Sequence, residues 1–405
     1  GERSPAFLGK WMKANKGWLM EQMTLFGAVK FTGFDVAQPM DVQTALVQFD
    51  ELSDEYRGTS PRVVQGDTQY VFSASELPGF FPIPQHLEMS FLNGPPARLY
   101  FSCLDDSFTA NTAVGGVWAQ LDPALKAKMK DQGVLYVRNY LKRTPAVPVD
   151  VFKLKPWTDL FMTDDPAEVD AECAATGLSV AWGDGDSLSI PNAAGATRVH
   201  PETNVEVFSN HAPTFHIAMG AQEFDRTWRR TGELRLLVLW ALMGFLTALY
   251  RLIMPWTSYG MHTTLGSGQQ LSDEEMEHVR DVIWANMVFP RWRKGDILMI
   301  DNWSVSHGRQ PYIGKRKVVV SWAAETQGAA PLPPHAVQAL HPVARAGSGA
   351  GATAAMVRDY SAYFRYAHDY VHVRDSSYET MAHAADATPP SKPLRSRARS
   401  AGRRA

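Results

Sequence analysis

IDNWSVSHGRQPYIGKRKVVVSW, residues Ile300–Trp322, sets a single histidine, His307, and the arginines Arg309 and Arg316 between two apolar, β-prone runs. A strand, a loop and a second strand of this composition place a metal ligand beside an anion clamp. Far upstream, IPQHLEMSF at Ile83–Phe91 offers His86 and Glu88 two positions apart. In a strand, residues i and i+2 point to the same face, so an imidazole and a carboxylate at that spacing can grip one ion. With His307 they make a candidate 2-His-1-carboxylate triad, a donor set that leaves open positions on non-haem Fe(II).

The spacing alone is weak. With twelve histidines and roughly one residue in ten acidic, one His-x-Glu pair arises by chance, and the chain holds a second in His200-Pro201-Glu202. Pro201 disfavours a regular strand there, so His86 and Glu88 are the preferred pair.

The chain resembles the taurine dioxygenase and clavaminate synthase-like family of Fe(II)- and 2-oxoglutarate-dependent oxygenases, and within it the hydroxylases of non-ribosomal peptide pathways. The likeness rests on YRGTSPR at Tyr56–Arg62, the HLEMSF block, LYFSC at Leu99–Cys103, YVRNY at Tyr136–Tyr140, HPETNVEVFSN at His200–Asn210 and DNWSVSHGRQPY, in the family's order over roughly residues 25–325. It implies an α+β fold, mainly β, with a double-stranded β-helix (jelly-roll, cupin-like) core flanked by helices. It also implies His86, Glu88 and His307 as ligands of Fe(II), 2-oxoglutarate and O2 as co-substrates, and Arg316, nine residues after His307, as the clamp on the far carboxylate of 2-oxoglutarate. A guanidinium fork suits that task because it presents paired donors to a planar carboxylate. Because residue 88 is Glu, the family pattern is that of hydroxylation or desaturation; halogenases carry a small residue there.

Several positions depart from the pattern or stay open. Relatives continue Gly-Gly with an acidic residue and a Thr that contacts the co-substrate, whereas this chain reads Gly115-Gly116-Val117-Trp118, leaving Thr112 as a substitute hydroxyl. Val320 stands where some relatives have another arginine. Arg309 reads as a structural charge partner, and Asn210, His211 and His216 fall near the family's cavity without an assigned catalytic task.

Composition agrees with a soluble enzyme. The 405 residues are 45% hydrophobic and 20% charged, enough to bury a large core, and a net charge of −2 gives no general attraction to nucleic acid. The two cysteines, Cys103 and Cys173, form no metal-type cluster and are expected to be free thiols of a reducing compartment. The N-terminal GERSPAFLGKWMKANKGW has no secretory pattern, and a cytoplasmic location is expected, with an organelle still open.

Helical spacing over Trp18–Leu25 runs into FGAVKFTGF, which reads as a strand. Ser272 and Glu275 form a capping box that opens an amphipathic helix, and Arg293–Asp296 turns the chain into an Ile297–Ile300 strand. Leu236–Tyr250, uncharged between Arg235 and Arg251, falls short of the about 20 residues of a membrane span and reads as a core or lid helix, with membrane association as the other reading. The domain expected is 1–325, with a lid-like insertion at about 224–270. An Ala/Gly/Pro-rich extension with a short helix over 354–370 would occupy 326–387, and a disordered basic tail 388–405.

The expected activity is hydroxylation of an unactivated C–H bond of a small molecule, an amino acid or other carboxylate, with release of succinate and CO2. Two alternatives are a silent, binding or regulatory family member, suggested by the shortened Gly-Gly loop, and a membrane-associated oxygenase of lipid-like substrates, suggested by the apolar run. The partner expected is a small-molecule substrate and not nucleic acid; the sequence leaves the oligomeric state open.

Overall fold

The computed structural model describes residues 1–323 apart from 55, 57, 59–61, 76, 92–94, 106–110, 115, 144–153, 176, 288–291 and 313. The extension expected at 326–387, its helix and the basic tail lie outside the described residues. Ser4 caps the first helix, Pro5–Ala14, by accepting from the Phe7 amide at 3.2 Å, with Pro5 in the first turn where no amide is needed. The second helix, Lys16–Phe26, ends on Gly27 at φ 71°. A β-carbon there would press on Val305, so glycine is required both for the left-handed turn and for the close approach. The strand Ala28–Phe31 follows, as its sequence predicts, and pairs antiparallel with Ile297–Asp301.

A five-stranded antiparallel sheet runs in the order Ala28–Phe31, Ile297–Asp301, Arg98–Asp105, Lys317–Trp322, Phe72–Ser73. Its side chains alternate between two cores. Leu99, Phe101, Cys103, Leu298, Ile300, Val318 and Val320 face the main core, whereas Tyr100, Leu104, Ile297, Met299 and Val319 pack with Leu8, Met12, Leu19 and Met23 of the N-terminal helices. Burial on both faces explains why these strands read as apolar runs and not as an alternation.

A three-stranded sheet carries the metal-ligand candidates. Ser306–Arg309 lies between Ile83–His86 and Asn111–Val114, with His307 opposite both His86 and Ala113. A four-stranded sheet, Met261–Leu265, Val134–Tyr140, Ser187–Ala194 and Ala181–Gly183, and a ribbon of Thr197–Val199 with Glu206–Phe208 complete the β framework. The class is the expected α+β jelly-roll with flanking helices. Neither cysteine forms a disulfide, and both are buried.

The capping box forms as read: Ser272 accepts from the Glu275 amide at 3.1 Å and Glu275 accepts from the Ser272 amide at 2.8 Å, opening the helix Asp273–Ala285. Within the expected lid, the helices Met219–Thr231 and Leu234–Ile253 pack as a hairpin around Gly232, which is left-handed at φ 75°.

One buried charge cluster ties the N-terminal helices to the sheet. Asp50 accepts from Arg98 Nε at 2.6 Å and Nη2 at 2.9 Å, from the Tyr100 hydroxyl, and from Lys16 at 3.3 Å. Asp50→Ala strands the Arg98 guanidinium in the interior, so the variant is expected to lose about 3–5 kcal/mol in chemical denaturation.

Candidate metal centre

His86, Glu88 and His307 converge: one ligand atom from each lies within 4.8 Å of the others. Glu88 Oε2 is 3.7 Å from His307 Nε2 and 4.0 Å from His86 Nε2. The imidazole rings of the two histidines stand 4.3 Å apart, and Phe101 from the neighbouring sheet packs on His307 at 4.9 Å. This is the donor set and the compactness that a facial triad needs.

The route by which Glu88 arrives differs from the sequence expectation. The strand ends at His86, Glu88 opens a turn, and Met89 follows at φ 54°. The i, i+2 strand rule therefore does not place the carboxylate; Asn302 does. The Asn302 side chain accepts from the Glu88 amide at 2.8 Å and donates to the Glu88 carbonyl at 2.9 Å and the Pro96 carbonyl at 2.8 Å. One buried amide thus fixes the backbone of Glu88 from both sides, five residues before His307.

Electrostatics prepare His86 and Glu88. His86 Nδ1 donates to the Pro84 carbonyl at 2.8 Å, which leaves Nε2 with its lone pair toward Glu88 and His307. Burial, with His307 beside it, brings His86 down to about 4, so the imidazole is neutral near pH 7. Burial alone would raise the Glu88 carboxyl, but the Arg62 guanidinium, followed by His307 and His86, holds it well below the usual carboxylate range. Arg62 Nη2 lies 3.1 Å from Glu88 Oε2, and the Tyr56 hydroxyl donates to Oε1 at 3.4 Å.

Tyr56 and Arg62 belong to the YRGTSPR stretch, whose composition alone assigns them no task. Their signal was the position of YRGTSPR in the family order. Arg62→Leu is expected to weaken Fe(II) binding about 10–100-fold, the range for groups that orient a metal ligand, measured by anaerobic titration.

His211 lies against the site. Its ring is 5.8 Å from His86, Nδ1 pairs with the Ser90 hydroxyl at 2.5 Å, and burial keeps it neutral, well below its ordinary value. The other candidates fall elsewhere. Asn210 donates to the Ala196 carbonyl and accepts from the Ala212 amide, holding a turn. His216 donates to the Leu271 carbonyl and lines an open cleft of about 570 Å³ with Arg251, Trp256 and His262. His200 is held by Asp301 at 2.9 Å, and Glu202 accepts from Thr24 at 2.5 Å, so the second His-x-Glu pair is structural.

Arg309 is structural too, with a difference. It donates to the carbonyls of Leu77, Pro78 and Phe81 and to Ser75, so it braces a loop through carbonyls and not through a charge pair.

Arg316 immediately precedes the strand Lys317–Trp322, whose Val318 pairs with Cys103. The register shifts between Lys317 and Val318, so alternation along the strand does not by itself set the face on which Arg316 stands. Burial, then the like charge of Arg309, brings its guanidinium down to about 10, and its plane lies 5.3 Å over Tyr312. Thr112 has its backbone opposite Gly308, while its side chain and Gly115 lie outside what is described. Gly116, at φ 69°, leads directly into a short helix, Val117–Gln120.

A model of the taurine catabolism dioxygenase TauD, TfdA family matches residues 5–322. The chain is 27% identical over 317 residues to the dapdiamide synthesis protein DdaC of Enterobacter agglomerans, covering 76% of this chain and 86% of that one. It is 25% identical over 322 residues to a clavaminate synthase-like protein of Arabidopsis thaliana, covering 76% and 85%. Among solved structures, PvcB from Pseudomonas aeruginosa matches with a TM-score of 0.40 at 12% identity, covering 76% of this chain and 79% of that one. With its jelly-roll and its compact His-Glu-His cluster, the chain belongs to the TauD/TfdA dioxygenase family and is a 2-oxoglutarate-dependent dioxygenase using iron.

Proposed function

We propose that His86, Glu88 and His307 hold Fe(II), that Arg316 binds the distal carboxylate of 2-oxoglutarate, and that the enzyme hydroxylates an unactivated C–H bond of a small amino acid or other carboxylate. The observation that carries the reading is the convergence of two imidazole nitrogens and one carboxylate, with the His86 imidazole held neutral and the Glu88 carboxylate held charged. Bound iron supplies the chemistry that couples O2-driven decarboxylation of 2-oxoglutarate to succinate and CO2 with oxidation of the substrate. The chain's own residues bind and orient. Pro84 fixes the ligating nitrogen of His86, Arg62 and Tyr56 hold the Glu88 carboxylate, Asn302 fixes its backbone, and Phe101 and neutral His211 wall the site.

Arg316 is suited to an anion because its charge is disfavoured by burial and by Arg309, and a carboxylate relieves both. A relative named for dapdiamide synthesis supports a small-molecule substrate. The catalytic unit so proposed is residues 1–325, with the helical hairpin as its lid. Amino acids are to be screened by succinate release above the uncoupled background. No candidate raising succinate formation, in a protein that binds Fe(II) and 2-oxoglutarate, would reject the amino-acid class.

A further inference from the structure

We propose that the outer face of the Leu234–Ile253 helix docks onto an anionic lipid bilayer. The inference is independent of which substrate is oxidised. The helix is 20 residues long and is apolar enough, by length and composition, to cross a membrane, yet only 17% of its most apolar window is buried. Its inner side meets the Met219–Thr231 helix and its surroundings through Leu236, Met243, Thr247 and Tyr250. Its outer side carries Leu234, Val238, Leu242, Phe245 and Leu252, spaced by three, four or seven residues and therefore aligned in one stripe, with Phe245 66% and Leu252 82% exposed. A helix on the surface of a globular protein puts polar residues there. A contiguous exposed apolar stripe is the kind of surface that marks an interaction site.

Charge identifies the occupant. No charged residue interrupts the helix between Arg235 and Arg251, and arginines frame the stripe. Each arginine has an acidic partner, but at the hairpin end of the helix the guanidinium is the outward member: side-chain exposure is 65% for Arg229 against 20% for Asp225 and 62% for Arg235 against 14% for Glu233, while Arg251 and Asp273 at the other end are about equally exposed. Trp228 stacks on Trp240 at the flank, the amphipathic aromatic type that favours a membrane boundary. Apolar stripe, cationic ends and aromatic flank together match a helix lying in the interfacial plane, its stripe about 5–10 Å below the headgroups.

The neighbouring helix blocks a crossing, because its Arg226 is tied to Asp281 and Glu277 of the domain. A second copy fits less well, since pairing this helix with itself in either direction sets guanidinium ends against guanidinium ends. The hairpin also reaches the loop that leads into the His86 strand: Phe224 meets Phe81 edge-on at 5.1 Å and Arg235 lies 4.3 Å over Phe80. Docking would therefore hold the metal-site strand close to the bilayer.

The test is sedimentation of the full chain with vesicles of phosphatidylcholine, with and without phosphatidylserine, over a salt series. Binding is expected to be about ten-fold tighter with phosphatidylserine and to weaken with salt. The double variant Leu242→Glu, Phe245→Glu should lose it, while Arg235→Gln with Arg251→Gln should lose only the phosphatidylserine advantage; unchanged circular dichroism shows that both fold. Wild-type protein that stays in the supernatant overturns the proposal. So does equal binding by the double glutamate variant, which would place the contact elsewhere, or a wild-type dimer in velocity ultracentrifugation that the glutamates dissolve.

Discussion

His307→Ala is expected to show no metal-to-ligand charge-transfer band when Fe(II) and then 2-oxoglutarate are added without oxygen, although wild-type protein shows one. His307 is buried between Phe101 and His86, and its Nε2 is 3.7 Å from Glu88. Alanine removes one of three donors and leaves a space that no described side chain fills with another imidazole. Loss of the several kcal/mol that a bound metal contributes corresponds to a fall in 2-oxoglutarate turnover on the order of a thousand-fold or more. The fold should survive, because His307 is held by its strand pairing with His86 and Ala113 and not by its side chain. A wild-type-like band in folded His307→Ala would remove this residue from the site. Such a result would leave the family membership standing and reject the ligand assignment.

Arg316→Ala is expected to separate the co-substrate from the metal. Charge-assisted hydrogen bonds to a carboxylate contribute about 1.5–3 kcal/mol. The variant should therefore need roughly 10–100-fold more 2-oxoglutarate to develop the same band and to reach half-maximal turnover. Its Fe(II) titration should be unchanged, since the proposed metal donors are His86, Glu88 and His307 and Arg316 is not one of them. Arg316→Lys should recover part of the loss, as a point charge replaces the fork. An unchanged 2-oxoglutarate requirement in Arg316→Ala would assign the clamp elsewhere. Equal weakening of Fe(II) would show instead that Arg316 supports the fold of the triad.

Much of the site was legible because its chemistry is local in the chain. His86-Leu87-Glu88 and Ser306-His307-Gly308 carry their ligand types in short blocks, and the apolar runs on either side of His307 had to be strands. The capping box at Ser272 and Glu275 was legible for the same reason, since both its hydrogen bonds close within one turn. The apolar run at Leu236–Tyr250 was visible, but its exposure was not. A lid helix and a buried core helix have the same composition, and only packing separates them.

The sequence by itself determined the family, the three candidate donors, several strand and helix runs and the apolar stretch Leu236–Tyr250, because each rests on residue type and short-range periodicity. Tertiary structure decided how the donors meet. Glu88 stands in a turn and not in the strand, set by an amide of Asn302 that lies 214 positions away, and its charge is held by Arg62, 26 positions upstream. It also separated the two His-x-Glu pairs, by bringing His86 and Glu88 together with His307 and giving His200 to Asp301. Distances, burial and the field of neighbouring charges are properties of folded proximity, and no spacing along the chain encodes them.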